Sequence, residues 1–146
     1  MSNYPEWWDA TVTVYNKYED PATRQISWHR TVLYHCFWKY TGNKIVVGET
    51  TIDTNTTICR IPISPKFLER HIWNNAQDKS NYFTLGAGDI IIKGEVTDEI
   101  NEYAASYRSS DILTKYKKYG ECMVINKCSV NAGLGRGLEH YYVRGV

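Results

Sequence analysis

The chain has 146 residues, of which 42% are apolar and 23% charged, and its formal net charge is +1. This length and composition predict one globular domain over residues 1–146 and exclude a disordered chain. The nearly neutral charge gives no electrostatic reason for bulk binding to nucleic acid or to a membrane surface.

Tyrosine and tryptophan are unusually frequent, with 12 and 5 copies against three phenylalanines. Rings with a polar edge suit β-strands and protein interfaces. The chain has no apolar run of about 20 residues, as a membrane span would need, and no signal-peptide pattern. The four cysteines show no CxxC spacing, so we expect free thiols in a cytosolic setting: Cys36, Cys59, Cys122 and Cys128.

The first half of the chain shows the two-residue period of β-strands. Residues 9–18 alternate well, and residues 25–39 form the longest such run. A strand as long as 25–39 is expected to bend or bulge in a small protein. A turn at 42–43 predicts a third strand over 43–52, and a short fourth strand follows at 56–61.

Residues 62–81 show no clear period and predict a long loop, with one helical turn near 66–70. Loops of this length are often functional. The mixed charge of this segment argues against direct contact with DNA. Its candidate contact residues are Lys66, Phe67, Arg70 and Lys79.

Residues 81–96 (NYFTLGAGDIIIKGEV) are predicted to lie at the centre of the fold. An aromatic run meets a glycine-rich turn and then three isoleucines, whose β-branched side chains favour a covered strand. We expect a central hairpin or tight corner here. Ile90, Ile92 and Val96 should share one face of the strand, and Ile91 should lie on the other.

Two short helices are predicted next, one from Thr97 or Asp98 to about Tyr103 and one from Ser109 or Ser110. Terminal strands are predicted at 121–130 and 139–143. The connections are too short for repeated helical crossovers, so the strands should pair antiparallel. The predicted fold is mainly β: a small antiparallel β-barrel with one or two short helices outside it and a long loop at about 62–81.

No group of residues predicts catalysis, a cofactor or a metal, so we expect a protein that is not an enzyme. The Gly-x-Gly-x-Gly segment at 133–137 lacks the ending of a phosphate-binding loop and opens no helix, so a flexible loop is predicted. No HExxH, paired Cys/His spacing or GxSxG is present. Asp89 is expected to be a turn residue bonded to its own backbone.

Four segments together are similar to a family of small proteins encoded in phages and prophages of Gram-positive bacteria. They are TVYNKYEDP (13–21), SWHRTVLYHCFWK (27–39), YFTLGAGDIIIKGEV (82–96) and HYYVRG (140–145). Genes of that family tend to lie in the head–tail morphogenesis module, near portal and minor capsid genes. The family has no known active-site residues to place on this chain.

The resemblance implies a structural virion protein of a tailed phage, a head–tail connector of the stopper (head-completion) type. Such a subunit would be made in the cytoplasm of the host bacterium and would form a ring of its own copies in the virion neck. The ring would contact the portal or adaptor on one side and tail-terminator or tail-tube proteins on the other. The long loop at 62–81, with its candidate contact residues, would reach into or across a central channel. DNA would pass nearby without sequence-specific binding, and no membrane would be involved.

A ring subunit needs anchors on its surface, and tryptophan and tyrosine dominate interface hot spots. The candidate anchors are Trp7, Trp8, Tyr18, Trp73, Tyr141 and Tyr142. The alternative is a free β-barrel binding module, such as an anti-defence protein or a binder of single-stranded nucleic acid, because aromatic-rich barrels can stack bases. That alternative predicts binding to single-stranded DNA that weakens with salt.

Overall fold

A computed structural model describes residues 7–117, 121–131 and 139–146, and within these ranges it has six strands and two short α-helices. The strands are β1 (Ala10–Glu19), β2 (Ile26–Val47), β3 (Thr50–Pro62), β4 (Ile90–Lys93), β5 (Cys122–Asn131) and β6 (His140–Gly145). The helices are α1 (Arg70–Asn74) and α2 (Ser109–Lys117), and a 3-10 turn covers Lys79–Asn81.

The strands form a closed barrel in the order β1-β2-β3-β6-β5-β4, in which β4 pairs back onto β1. Every neighbouring pair is antiparallel. The predicted mainly β fold and small antiparallel barrel are therefore confirmed. The predicted long loop at 62–81 is also present, within the connection from β3 to β4.

The barrel interior is filled by residues that alternate along the strands, as the pleat requires. Val12 and Val14 of β1, Ile91 of β4 and Met123 of β5 are fully buried in this core. Phe67 and Phe83, from the β3–β4 connection, pack into the same cluster. This connection therefore adds to the core that the strands enclose.

A second apolar cluster lies outside the barrel, between β4 and α2. Ile90, Ile92 and Val96 pack there with Ile112 of α2, whereas Ile91 belongs to the barrel core. The predicted division of these residues between two faces is confirmed, and so is the predicted helix that begins at Ser109. The helix covers the outward face of β4.

The predicted bulge in the long second strand is present. Ala10 pairs with Cys36 but Val12 pairs with Leu33, so β2 has one extra residue between these two pairs. His35 has a φ of 60° at this point, in the left-handed region. The bulge reverses the alternation, and Leu33 and Cys36 both contact the barrel core as a result.

The predicted turn at 42–43 and the separate strand at 43–52 are wrong. β2 continues to Val47, and the chain reverses at Gly48-Glu49 into β3. Gly48 has a φ of +63°, which a type II′ turn requires at its first central position. Continuous pairing between β2 and β3 prevails over the turn tendency of Gly42-Asn43.

Two further local predictions are corrected. The helical turn predicted at 66–70 begins only at Arg70, because a parallel bridge holds Phe67 against Phe83. No helix forms at 97–103, where the Asp98 side chain instead binds α2. Of the two alternatives predicted for the glycine-rich turn, the tight corner is confirmed: residues 86–89 form a turn, and β4 then pairs with β1 and β5.

Candidate functional site

One side of the barrel is closed by side chains instead of by a strand. β4 pairs with β1 only as far as Tyr15, and beyond it Asn16 and Lys17 meet the connection that precedes β4. The Asn16 amide donates to Thr84 O (2.5 Å) and accepts from Thr84 N (3.2 Å), and Lys17 N donates to Asp89 (3.0 Å). These bonds replace a strand ladder, because buried backbone groups need partners.

Asp89 is fully buried at the centre of this network. Its carboxylate accepts hydrogen bonds from Arg70 (2.5 Å) and from the Asn16 amide (2.9 Å). Burial raises the pKa of the Asp89 carboxyl, and the Arg70 guanidinium and the other donors oppose that rise. Arg70 also donates to Lys17 O (2.8 Å), so the ion pair fastens α1 to β1.

A lysine and two aromatic rings pack beside this ion pair. Lys79 Nζ lies 4.3 Å from the ring centroid of Tyr18 and 5.8 Å from that of Trp73. The Arg70 guanidinium lies 5.5 Å from the Trp73 ring, and the Tyr18 and Trp73 rings meet edge to face. Four residues predicted as separate contacts therefore form one cluster, which we call the Arg70 cluster (Tyr18, Arg70, Trp73, Lys79 and Asp89).

A cavity of about 450 Å³ opens next to the Arg70 cluster. Asn74 and Asn75 of the α1 end contribute amides to its wall, beside Arg70 and Asp89. The Arg70 guanidinium and the Asp89 carboxylate bond each other and the backbone of β1. These bonds engage both charges and connect α1 and the 86–89 turn to β1.

The four cysteines are free thiols with a packing role. Burial raises the pKa of Cys122 to about 12 and that of Cys128 to about 11. Burial also raises the pKa of Cys59 well above its usual range. Because the thiolate is the reactive form, these three thiols are unreactive at neutral pH.

Within residues 7–117, 121–131 and 139–146, no group of histidine, cysteine and acidic side chains could hold a metal ion. No helix in these ranges is long and apolar enough to cross a membrane. The Gly-x-Gly-x-Gly segment at 133–137 lies outside the described residues.

Two of the predicted anchors lie in one patch on the outer face of the barrel. Trp7, 63% exposed, meets the Phe37 ring edge to face with centroids 5.5 Å apart. The Arg60 guanidinium lies 5.2 Å from the Phe37 ring and 5.9 Å from the Tyr142 ring. We call this row the Trp7 patch (Trp7, Phe37, Arg60 and Tyr142). Its composition is typical of interface hot spots.

Three of the other predicted anchors are buried, so their predicted role as surface anchors is wrong. Trp8, Trp73 and Tyr141 are 3%, 0% and 4% exposed, so their rings pack within the subunit and offer a partner almost no surface. Tyr18 is half-buried in the Arg70 cluster. The accessible members of the predicted set are therefore Trp7, Tyr142 and the edge of Tyr18.

The residues predicted for a channel loop are mostly held against the barrel. Phe67 stacks on Tyr141 with ring centroids 4.3 Å apart, and Arg70 and Lys79 belong to the Arg70 cluster. Only Lys66 of the four is fully exposed. The 62–81 segment is thus not a projecting loop at these positions.

The projecting element is a β-hairpin that the sequence analysis missed. β1 pairs with β2 as far as Cys36, and β6 pairs with β3 only from Thr57 onward. Among the described residues, 41–47 and 50–56 pair solely with each other, in seven residue pairs. At about 3.3 Å per residue this arm (residues 41–56) extends roughly 20 Å beyond the barrel.

The arm has an exposed apolar tip and unpaired strand edges. Val46 and Val47 at its tip are 70% and 58% exposed. An isolated two-stranded hairpin is marginally stable in water, and its edges present unpaired backbone groups to other chains. The signal that could have found the arm is Gly48-Glu49 between the β-branched runs Ile45–Val47 and Thr50–Ile52.

No curated protein and no solved structure matches the chain. A family model matches residues 7–146, and its description is a family of unknown function, DUF6751. The match includes the whole barrel, the arm and the Arg70 cluster. The chain therefore belongs to the DUF6751 family.

Proposed function

We propose that this protein is a structural ring subunit of a tailed phage, the head-completion (stopper) protein between the portal or adaptor and the tail. The four segments similar to phage-encoded proteins support the setting. The arm supports the mode of action, which is assembly through shape and contact. In this proposal the protein has no reaction to catalyse.

The observation that carries the proposal is the arm. It packs on no other described strand, so it adds little to the folding of its own barrel. Unpaired strand edges and exposed valines at its tip suit the addition of a strand to another chain. An element of this kind stabilises a complex.

The Trp7 patch supplies a second surface on a different part of the subunit. It crosses the outer face of β2, β3 and β6, where Phe37, Arg60 and Tyr142 are cross-strand neighbours. A ring requires two different contact surfaces on each copy, because every subunit meets its neighbours head to tail.

The test is complementation of a phage that lacks this gene. In the arm-shortened variant, an Asn-Gly turn replaces residues 42–55 and joins Thr41 to Thr56, which are already paired. We expect this variant to fold but to leave DNA-filled heads without tails. The matched control, Tyr107→Ala, changes an exposed ring outside the arm and should give infectious particles.

A normal yield of phage from the arm-shortened variant would contradict the proposal. The same purified proteins distinguish the binding-module alternative. Retention of a single-stranded DNA probe at low salt, equally by full-length and arm-shortened protein, would favour a nucleic-acid binder.

A further inference from the structure

Among the described residues, the second half of β5 pairs with a strand on one side only, and we call its other side the free edge of β5. β4 pairs with β5 only at Cys122–Val124, and residues 88–89 extend that contact by one residue, to Ile125. After a register shift at Asn126, β5 pairs with β6 on one side from Lys127 to Asn131. No described backbone group bonds this segment on its other side.

The hydrogen bonds of β6 show which β5 groups point to that edge. Val146 and Val124 exchange both backbone bonds, at 2.9 and 3.2 Å. Because bonding alternates along an antiparallel strand, Val143 and Tyr141 direct their bonds to β3. Their β5 partners, Cys128 and Val130, therefore point their N–H and C=O groups away from β6. The edge thus offers two donors and two acceptors.

The arm carries the complementary groups. Val47 and Thr50 flank a two-residue turn and form its closing hydrogen-bonded pair. Hydrogen bonding alternates along the arm from this pair. On each strand, every second residue therefore points its backbone N–H and C=O groups away from the other strand. The outward residues are Gly42, Lys44 and Val46 on one edge and Thr51, Asp53 and Asn55 on the other. Their two-residue spacing matches that of Cys128 and Val130.

The arm and the free edge lie toward opposite ends of the barrel. The arm leaves β3 beyond Thr57, whereas the free β5 edge runs toward Asn131, level with His140 and Pro62. Thr57 and Pro62 are about 17 Å apart along β3 at ~3.3 Å per residue. The arm points away from its own free edge and can reach such an edge only on a second copy.

Resting on the proposed ring, we infer that the arm of one subunit adds as a strand to the Asn126–Asn131 edge of β5 in the next subunit. The contact joins two different surfaces, so it can repeat from copy to copy, and a rotation that closes gives the proposed ring. The two strands of the arm extend the neighbour's sheet beyond β5, and the backbone groups of the β5 edge hydrogen-bond those of the facing arm strand.

The first experiment maps the contact in the full-length protein. A photoreactive benzoylphenylalanine replaces Val47 at the arm tip, and mass spectrometry identifies the crosslinked peptides after irradiation. We expect crosslinks between two copies that include the peptide with residues 126–131. The same photoreactive residue in place of exposed Tyr107 should give none to that peptide.

The second experiment removes one donor from the edge. Val130→Pro deletes an outward N–H that β6 does not use, at an edge position where proline is tolerated. Val130→Thr keeps this N–H and is the matched control. We expect Val130→Pro to keep the circular dichroism spectrum of the barrel but to associate about tenfold more weakly, whereas Val130→Thr associates normally.

The outcomes separate this inference from the proposed function. If the protein forms oligomers but Val47 crosslinks to peptides outside residues 126–131, the β5 edge is not the arm's binding site. That result does not contradict the proposed ring. Unchanged association of a folded Val130→Pro protein also overturns it. A full-length protein that stays monomeric at all concentrations overturns the ring and the edge contact together.

Discussion

At the scale of single residues, Asp89 shows why local sequence does not reveal a structural network. The Gly88-Asp89 pair predicts a turn residue bonded to its own backbone. In the structure its carboxylate binds Asn16, the Lys17 N–H and Arg70, which lie 73, 72 and 19 residues away. Trp73 is a second example. Its aromatic ring suggested an interface anchor, but the ring is buried within the subunit.

Asp89→Ala should lower the free energy of unfolding by about 3 kcal/mol, because it removes an acceptor from the Asn16 amide and from the Lys17 N–H and leaves Arg70 without its carboxylate. Urea denaturation at neutral pH measures this loss. Glu95→Ala, at an exposed position, should change stability by less than about 0.5 kcal/mol. Equal effects of the two substitutions would refute a structural role for the Arg70 cluster.

Asp98 makes stability depend on pH. Its carboxylate accepts hydrogen bonds from Lys115 Nζ (2.9 Å) and the Tyr116 hydroxyl (3.1 Å), and the Lys115 bond lowers the pKa of Asp98. A folded-state pKa below the unfolded value of about 3.9 adds stability above that pH, and this stability is lost as pH falls through the folded value.

The stability difference between the wild type and Asp98→Asn should therefore be largest near about pH 6 and shrink toward about pH 3. Urea denaturation across this range gives the difference at each pH. Glu95→Gln serves as the control, since its exposed side chain should give a difference that changes little. If the stability difference between the wild type and Asp98→Asn grew as the pH fell, it would contradict a lowered pKa for Asp98 in the folded protein.

At the scale of elements, strands and helices with a clear period were predictable. β1, β5 and β6 begin and end within about two residues of their predicted limits, and α2 begins at a predicted residue, since each has one buried face. The arm was missed because Gly42-Asn43 has better turn chemistry than Gly48-Glu49. Pairing of β2 with β3 decides between these turns, and the sequence alone does not show it.

The arm should become protected when the protein assembles. In dilute protein its outward amides should exchange freely, whereas in the proposed ring one edge would be hydrogen-bonded to β5. Hydrogen exchange of peptides within residues 41–56 should therefore slow by about tenfold or more on concentration. Peptides from β4, buried inside each subunit, should exchange equally at both concentrations. Exchange in the arm that is insensitive to concentration would contradict its role as an interface.

At the scale of the whole molecule, composition and period were enough to predict a small antiparallel barrel. Aromatic-rich alternating runs with short connections permit few other folds. The surfaces that could bind partners were not predictable in the same way, because exposure depends on contacts between distant segments. Trp7 and Trp8 are adjacent in sequence, yet one ring is 63% exposed and the other 3%.

The central claim is that this barrel works by assembling with its own copies through the arm. Electron microscopy of the purified full-length protein, with sedimentation velocity on the same samples, tests it most directly. We predict closed rings from the full-length protein and monomers from the arm-shortened variant. A full-length protein that stays monomeric at every concentration, or an arm-shortened variant that forms the same rings, would contradict the claim.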